Sequence, residues 1–287
     1  AARRVRRKDG RRRGRVIALK EILKQVDSLL AGTNADGSER EWIACEALGI
    51  KRGALPLVRE VSEEQAKKMI DYARERATGR PLWQVFGYAE FCGMRIEVGE
   101  GVLCPRPETE ELVERAAAYC GPGVKALDMC TGSGCIAIAL AKTGADVTAS
   151  DISERALEIA ARNAEANGAK VRFLLSDIWE NIDGRFDVIV SNPPYIPTEQ
   201  IASLDREVRD FEPHCALDGG EDGLKFYREI AKGLAAHLEE GGILLVEMGA
   251  EQGEALKAMF APFGEVKIVK DIEGKDRIAA VRICGKN

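Results

Sequence analysis

The sequence predicts an α/β protein with a doubly wound, seven-stranded sheet that follows a small helical bundle and a β-hairpin. From Val124 onward, segments of strand character alternate with amphipathic helical segments, which is typical of a largely parallel sheet covered on both faces. Before that point, apolar residues recur at three- and four-residue steps, as on one face of a helix. The length of 287 residues exceeds one ordinary domain of about 100–200 residues, so we expect two.

The composition is that of an ordinary globular protein, with 45% hydrophobic and 31% charged residues. This argues against a disordered or collagen-like chain. The longest apolar runs, such as residues 136–141 and 243–246, fall far short of the ~20 residues that cross a bilayer. No signal-peptide apolar core follows the basic start. We therefore expect a cytoplasmic protein with no membrane association.

The net charge of −5 is unevenly distributed along the chain. Residues 1–15 carry eight Arg and one Lys against one Asp, a net charge of +8, so the other residues carry −13. A block of like charge this dense is usually disordered, and we interpret residues 1–15 as a disordered basic leader or a cloning remnant. The acidic remainder argues against a large nucleic-acid footprint, so we expect no stable nucleic-acid partner.

The eight cysteines and two histidines do not have the spacing of a metal site. No Cys-x-x-Cys pair occurs, and two His are too few for the usual zinc patterns. We expect reduced thiols and no metal.

The predicted N-terminal module covers residues 16–80. Helical periodicity starts at Val16, and a second helical pattern runs over residues 39–48. Ser62-Glu-Glu-Gln65 is a capping box, in which the Ser and Gln side chains each satisfy the other's backbone N–H, and it opens a third helix. These short amphipathic helices predict a small bundle.

A β-hairpin linker is predicted over residues 81–104, where the pattern changes to a period of two. The alternation over residues 94–98 predicts a strand that pairs, across a turn near Gly93, with residues 86–91. Two prolines then form a rigid corner before the larger α/β domain, which we assign to residues 105–287.

The α/β domain contains seven predicted strands and five predicted helices. The strands are predicted at residues 124–129, 146–150, 171–175, 186–191, 242–248, 265–270 and 278–283. The helices are predicted at residues 108–119, 135–143, 153–167, 222–239 and 250–261.

A glycine-containing loop follows the first strand of this domain. The stretch Asp128-Met-Cys-Thr-Gly-Ser-Gly134 leads directly into a helix, whose N-terminus offers unpaired N–H groups to a ligand. Asp151 ends the second strand, where its carboxylate is suited to a ribose diol. These residues predict a nucleoside-containing cofactor. They do not separate NAD from S-adenosylmethionine, because the loop also fits the loose dinucleotide pattern.

A second candidate motif, Ser191-Asn-Pro-Pro-Tyr195, follows the fourth strand. The prolines hold Asn192 extended and stiffen the segment. The Asn192 side-chain oxygen and the Pro193 carbonyl are suited to accept the two hydrogens of a planar NH2 group, which would aim its nitrogen at a methyl donor. Asn-Pro-Pro alone is typical of an ordinary turn, but its position at a strand end near the cofactor loop favours a functional role.

Together these motifs resemble class I S-adenosylmethionine-dependent methyltransferases that act on amino or amide nitrogen. The stretch Pro105-Arg-Pro-Glu-Thr-Glu-Glu-Leu-Val113 more narrowly resembles the HemK/PrmC family. Members of that family are protein-(glutamine-N5) methyltransferases that modify the Gly-Gly-Gln glutamine of class I peptide-chain release factors, the proteins of translation termination. Stretches over residues 212–224 and 247–252 are also similar to the family, and the resemblance covers about residues 16–284.

The resemblance implies a Rossmann-like fold and S-adenosylmethionine as cofactor, with S-adenosylhomocysteine as product. The cofactor-binding residues that it implies are Asp128, Cys130, Thr131, Gly132, Ser133, Gly134, Asp151, Ile152, Asp177, Ile178, Trp179 and Asn192. Among these, the loop is expected beside the methionine part, Asp151 at the ribose, and residues 177–179 beside adenine. The residues implied to hold the glutamine amide are Asn192, Pro193, Pro194 and Tyr195, of which Asn192 and Pro193 are expected to be catalytic. Cys130 stands where many family members have glycine.

Several alternatives remain at this point. The chain is also compatible with the related glutamine methyltransferase for a large-subunit ribosomal protein, with a DNA adenine-N6 methyltransferase, or with an idle binding protein that kept the fold. The Pro-Arg-Pro-Glu-Thr-Glu run favours release factors, and the acidic body argues against DNA. Glu108, Glu110 and Glu111 either belong to the site or simply favour a helix N-terminus. The helical module is expected to help recognise the protein substrate.

Overall fold

The computed structural model describes residues 15–283, and the predicted basic leader, apart from Arg15, lies outside them. The chain divides between Phe86 and Gly87 into two compact units. Within residues 15–283, no helix has both the length and the apolar character that a bilayer-spanning segment requires.

The first unit is mainly helical, as predicted. Its regular elements are β1 (Val16–Ala18), α1 (Leu19–Leu30), α2 (Glu39–Leu48), β2 (Glu60–Ser62), α3 (Glu63–Ala77) and α4 (Leu82–Phe86). Two expectations were wrong in detail. The helix predicted from Val16 begins at Leu19, because the three residues before it pair antiparallel with β2. The segment Leu82–Phe86 is a short helix, whereas the sequence pattern placed its last residue in a strand.

Helices α1, α2 and α3 enclose the core of the first unit, in which Val26, Ile43 and Met69 are fully buried. The predicted capping box is confirmed: the Ser62 backbone N–H donates to Gln65 Oε1 at 2.9 Å, and the Gln65 backbone N–H donates to Ser62 Oγ at 3.1 Å. The helix therefore starts where the sequence indicates, because two otherwise unpaired backbone donors are satisfied there.

The second unit contains a hairpin, a seven-stranded sheet and covering helices. Its elements are β3 (Tyr88–Phe91), β4 (Met94–Glu97), α5 (Pro107–Ala117), β5 (Lys125–Met129), α6 (Cys135–Ala141), β6 (Asp146–Asp151), α7 (Glu154–Ala166), β7 (Val171–Leu175), β8 (Phe186–Ser191), α8 (Arg206–Arg209), α9 (Lys225–His237), β9 (Leu238–Glu247), α10 (Gly253–Phe260), β10 (Gly264–Lys270) and β11 (Asp276–Ile283).

The strand order in the sheet is β10-β11-β9-β8-β5-β6-β7. Strand β5 pairs in parallel with β6 on one side and β8 on the other, whereas β11 is antiparallel to both of its neighbours. This arrangement confirms the predicted α/β class with seven strands. The chain order reverses between β5 and β8, and ligands of such sheets bind at that point, beyond the carboxyl ends of the strands.

Helices cover both faces of the sheet. On one face, α9 and α10 contribute Tyr227, Leu234 and Phe260 to a core shared with Leu127 and Leu244 of the strands. On the other face, α6 and α7 pack against the parallel strands, with α5 beside α6. Burial of apolar side chains on both faces explains why the central strands are almost continuously hydrophobic.

The predicted hairpin is formed by β3 and β4, with its turn at Cys92 and Gly93, both at positive φ. The buried Asn163 of α7 attaches it to the cofactor loop predicted from the sequence. Its Nδ2 donates to the carbonyl oxygens of Glu97 and Ser133, and its Oδ1 accepts from the Glu97 backbone N–H. One side chain therefore holds the end of the hairpin and the glycine loop together.

Candidate active site

An open cleft lies at the carboxyl ends of the parallel strands in the second unit. Ten of the residues predicted for the site line it: Cys130, Thr131, Gly132, Ser133, Asp151, Ile152, Asp177, Ile178, Asn192 and Pro194. The other five, all within the described residues, lie outside its lining: Asp128, Gly134, Trp179, Pro193 and Tyr195. The cleft therefore unites the glycine loop, the end of β6 and the segment after β8.

Asp128 lies beneath the glycine loop rather than in the cleft. Its fully buried carboxylate accepts hydrogen bonds through Oδ2 from Thr131 Oγ1 at 2.5 Å and from the Ala137 backbone N–H at 3.0 Å. Burial raises the pKa of Asp128 to about 7, and these two hydrogen bonds oppose the shift. Asp128 ties the loop to the start of α6, so its structural effect is to hold the glycine loop in place.

The loop backbone contains three positive φ angles, at Cys130 (60°), Gly132 (53°) and Gly134 (80°). A Cβ atom at Gly134 would lie 2.8 Å from the Ala160 Cβ, whereas one at Gly132 would meet no atom within 4 Å. Gly134 is thus required by both conformation and space. Cys130 adopts a conformation that costs an L-residue roughly 1–2 kcal/mol and that glycine would adopt without strain.

Asp151 stands at the end of β6 with both oxygens partly engaged. Its Oδ2 accepts from the Gly132 backbone N–H and its Oδ1 from the Ser153 backbone N–H, each at 2.9 Å. Burial raises the pKa of Asp151, opposed by these backbone hydrogen bonds. Each carboxylate oxygen retains a further lone pair for a ligand hydroxyl. Beside it, Ile152 is 63% exposed and offers an apolar surface in the cleft.

Of the three residues expected beside adenine, the structure separates Trp179 from Asp177 and Ile178. The positive φ of Ile178 (48°) turns the chain so that Trp179 leaves the cleft. Its indole N–H donates to Glu229 O of α9 at 2.9 Å, and its ring stacks on His237 with centroids 4.6 Å apart. Trp179 is therefore a packing residue, because its polar atom and its ring face are both occupied by α9.

Asn192 is placed by the end of β8 and by α5. The preceding Ser191 Oγ donates to Met129 O at 2.7 Å, which joins the ends of β8 and β5. The Asn192 Nδ2 donates to Thr109 Oγ1 at 3.2 Å, and Thr109 Oγ1 donates to Glu247 Oε2 at 2.7 Å. Asn192 lines the cleft together with Pro194, whereas Pro193 is buried and does not line it.

The backbone of Tyr195 is held in place by two glycines and a glutamine. Gln252 Nε2 donates to Tyr195 O at 2.9 Å and to Gly223 O at 3.2 Å. A Cβ atom at Gly223 would lie 2.4 Å from Tyr195 O, and one at Gly219 would lie 2.7 Å from Tyr195 Cα. Positions 219 and 223 must therefore be glycine, because the backbone of Tyr195 passes directly against them.

An ion pair between the buried Glu212 and the partly exposed Arg106 connects two segments at the cleft. Glu212 accepts from Arg106 Nη2 at 2.7 Å and from the Cys104 backbone N–H at 3.1 Å, and its side chain is fully buried. Burial raises the pKa of Glu212 to about 7, while the charge of Arg106 opposes the shift. Cys104 and Arg106 both line the cleft, so this pair joins the Pro-Arg-Pro stretch to the loop that follows the Asn192 motif.

The acidic cluster at the start of α5 does not line the cleft. Glu110 Oε1 accepts from the Cys92 backbone N–H at 2.6 Å, and Glu111 Oε1 accepts from the Ile272 backbone N–H at 3.3 Å. These two carboxylates hold neighbouring turns. The residue of this stretch that touches the site is Thr109, which the sequence reasoning did not single out.

Other cleft residues were also missed by sequence reasoning. They include the segment Gly101–Leu103, Ser150, Cys215, Ala216 and Phe226. Ser150 directly precedes Asp151, which is the only local signal that pointed to it. The others approach the cleft only through the tertiary fold.

Two family models match the chain. The model for "Methyltransferase small domain" matches residues 108–206, a range that contains both the glycine loop and Asn192. The model for "PrmC N-terminal domain" matches residues 21–87, almost the whole helical first unit.

Relatives that cover most of the chain share one name. A protein named release factor glutamine methyltransferase from Geobacter sulfurreducens is 39% identical over 92% of this chain and 96% of its own length. A protein of the same name from Lactococcus lactis is 41% identical over 79% of this chain and 87% of its own. Among solved structures, a methyltransferase from Pyrococcus furiosus is 25% identical, covers 68% of this chain and 91% of its own, and has a TM-score of 0.53.

Proposed function

The chain belongs to the release factor glutamine methyltransferase family, and on that premise we propose the reaction that its cleft performs. The enzyme transfers a methyl group from S-adenosylmethionine to the side-chain amide nitrogen (N5) of the glutamine in the Gly-Gly-Gln motif of class I release factors. The observation that carries this proposal is the cleft itself, in which Asn192 shares one space with the glycine loop and Asp151.

The cleft residues fit S-adenosylmethionine. Ser150 Oγ is buried in the cleft lining and has no hydrogen-bond partner among the described residues, so a polar ligand atom would satisfy it. Asp151 retains lone pairs for a ribose diol, and the exposed Ile152 offers an apolar contact to a flat base. The open space beside Gly132 lets the loop backbone approach the methionine part of the ligand.

The reaction needs the protein mainly to position two groups. When bound, S-adenosylmethionine supplies an electrophilic methyl group on a sulfonium. The glutamine amide nitrogen is a poor nucleophile because its lone pair is delocalised into the carbonyl. Acceptors that engage both of its hydrogens favour a more pyramidal, electron-rich nitrogen. Holding the methyl donor and the amide nitrogen in the reacting geometry lowers the activation free energy by up to ~7–11 kcal/mol.

Asn192 lines the cleft, and we assign its side-chain oxygen as the acceptor of one amide hydrogen. We assign the second hydrogen to the backbone carbonyl of Pro193, the residue next to Asn192, although Pro193 itself does not line the cleft. As the N–C bond forms, the bond between the methyl group and the sulfonium sulfur would break and one amide hydrogen would leave to solvent as a proton, so the product keeps a single N–H. We therefore expect one methyl group per glutamine, because the product no longer offers two hydrogens.

The same methyl transfer would also modify the glutamine of a large-subunit ribosomal protein. Adenine N6 is a less similar acceptor for it. The relatives that match this chain over most of its length are named for release factors, which favours the first substrate. The net charge of −13 outside residues 1–15 suits a protein partner with a basic surface better than DNA. We assign the helical first unit to substrate recognition.

The test compares Asn192→Ala with Asn167→Ala, which removes an asparagine at the end of α7, outside the cleft lining. We expect Asn192→Ala to bind S-adenosylmethionine normally in calorimetry and to transfer methyl groups to a release factor at least ~100-fold more slowly, the usual scale for losing one transition-state hydrogen-bond partner. Asn167→Ala should retain activity. Near-normal turnover by Asn192→Ala would overturn the assignment.

A further inference from the structure

A buried chain of hydrogen bonds reaches Asn192 from behind. Thr109 of α5 and Glu247 of β9 are 2% and 1% exposed. Asn192 Nδ2 donates to Thr109 Oγ1 at 3.2 Å, and Thr109 Oγ1 donates to Glu247 Oε2 at 2.7 Å. The cleft, the helix and the last residue of β9 are therefore linked through one hydroxyl group.

When Glu247 is ionised, the hydrogens available in this chain of hydrogen bonds permit only one orientation of the Asn192 amide. A threonine hydroxyl has one hydrogen, and an ionised carboxylate can only accept. The Thr109 hydrogen therefore points to Glu247, and Oγ1 presents only lone pairs to Asn192. Only the NH2 half of the amide can face those lone pairs, because a reversed amide would set two oxygens against each other.

We propose that Thr109 and Glu247 are positioning residues that fix the Asn192 amide so that its oxygen faces the glutamine NH2. The inference rests on the proposed function and deepens it. Asn192 is the residue that contacts the substrate, and the two residues behind it act through it. Without them the amide could present its own NH2 to the substrate, which would repel the NH2 group to be methylated.

The carboxylate end of the chain is itself held firmly. The Tyr227 hydroxyl donates to the Glu247 backbone oxygen at 2.7 Å, and the Tyr195 hydroxyl lies 3.4 Å from Glu247 Oε1. Burial raises the pKa of Glu247 to about 7, opposed by the Thr109 hydrogen bond and by the positive charge of Arg277. The titratable and charged groups that face Glu247 are Tyr195, Tyr227, Glu108 and Arg277.

The decisive comparison is Thr109→Val with Thr109→Ser. Valine keeps the shape of the side chain and removes the hydroxyl, whereas serine keeps the hydroxyl and removes a methyl group. We expect Thr109→Val to keep its affinity for S-adenosylmethionine and its KM for the release factor while kcat falls at least ~10-fold, since small misplacements of reacting groups have effects of this size. Thr109→Ser should recover most of kcat.

Leu112→Val controls for loosened packing of α5, because Leu112 is fully buried on the same helix and lies outside the cleft lining. It should lower the melting temperature without lowering kcat. In parallel, the 1H–15N resonances of the Asn192 side-chain amide should shift in Thr109→Val and return towards their wild-type positions in Thr109→Ser. This spectrum reports the hydrogen bond even if turnover is too slow to measure.

The outcomes separate this inference from the function on which it rests. Wild-type enzyme that methylates no release factor would overturn the proposed function and the inference together. If the wild-type enzyme is active and Thr109→Val is equally active, the inference alone is overturned. The same holds if the Asn192 amide resonances do not change in Thr109→Val. A low kcat in Thr109→Val with recovery in Thr109→Ser would support it.

Discussion

Two alanine substitutions only two residues apart should have different consequences, although both replace a glycine of the loop that follows β5. Gly134 and Gly132 both have positive φ, so either alanine incurs the left-handed penalty of roughly 1–2 kcal/mol. Only at Gly134 does the new methyl meet a neighbour, the Ala160 Cβ at 2.8 Å, with the Ala160 Cα at 3.1 Å. Overpacking of this kind costs a further ~1–3 kcal/mol.

We therefore expect Gly134→Ala to lower the free energy of unfolding by about 2–5 kcal/mol, and Gly132→Ala by only about 1–2 kcal/mol. The unfolded-state effect of exchanging glycine for alanine is the same at both sites and cancels in the comparison. Urea denaturation followed by circular dichroism measures both values. Because Gly132 lines the cleft, the added methyl group of Gly132→Ala should weaken the binding of S-adenosylmethionine, which calorimetry measures.

A double-mutant cycle with Ala160→Gly tests the stated cause. Removing the Ala160 methyl should recover part of the loss in Gly134→Ala, with a coupling of about 1 kcal/mol or more, and should show no coupling with Gly132→Ala. Equal destabilisation by the two alanines, or no coupling to Ala160, would refute the steric explanation for Gly134.

Three further outcomes follow from the site. Lowering the pH from about 8 to about 6 protonates Glu247, whose pKa is raised to about 7, so kcat should fall over this range. The Glu247→Gln variant should lose this dependence of kcat on pH. If the pH profile of the variant were the same as that of the wild type, the carboxylate would not have the role proposed for it. Gly223→Ala would place a Cβ atom 2.4 Å from Tyr195 O and should lower the free energy of unfolding by at least ~2 kcal/mol. Gly274→Ala, whose Cβ atom would meet nothing within 4 Å, should lower it by only ~1 kcal/mol. Equal decreases of the two variants in urea denaturation would contradict the close packing at Gly223. Asp151→Asn should weaken S-adenosylmethionine binding about tenfold or more in calorimetry, as loss of a charged acceptor does, and unchanged affinity would remove Asp151 from the cofactor site.

The stability contributed by the buried carboxyl groups should fall as pH rises. Asp128, Glu212 and Glu247 have ordinary values of 3.8, 4.5 and 4.5, and each pKa is raised to about 7 in the folded chain. The folded state therefore binds more protons than the unfolded state between these limits. Ionisation of the three groups lowers the free energy of unfolding as the pH rises from about 4 to about 7. This loss of stability is the consequence of burying carboxylates around the cleft.

Local sequence patterns were sufficient for the overall fold. The alternation of strand and helix segments predicted seven strands, all of which occur, because the helices repeat an apolar period and the central strands, buried on both faces, form short apolar runs between them. The short helix Leu82–Phe86 and the strand Val16–Ala18 were missed, because elements of five and three residues are too short to show a period. Pairing with β2, rather than the propensity of the residues themselves, sets the conformation of Val16–Ala18.

The site was predictable only where its residues follow strand ends in recognisable motifs. Asn192, Asp151 and the glycine loop belong to this class. The hydrogen bond between Thr109 and Glu247 could not be predicted, since 138 residues separate the two in the sequence and only the folded domain brings them together. Trp179 lies two residues from Asp177 in sequence yet faces α9, because the backbone conformation of Ile178 turns it away.

The central claim is tested most directly by mapping the transferred methyl group. Purified enzyme, S-adenosylmethionine with an isotopically labelled methyl group and a purified class I release factor are incubated together, and the modified residue is located by mass spectrometry. The account requires one labelled methyl on the amide nitrogen of the Gly-Gly-Gln glutamine and none when the enzyme carries Asn192→Ala. Label on another residue, in DNA, or in a large-subunit ribosomal protein alone would contradict it.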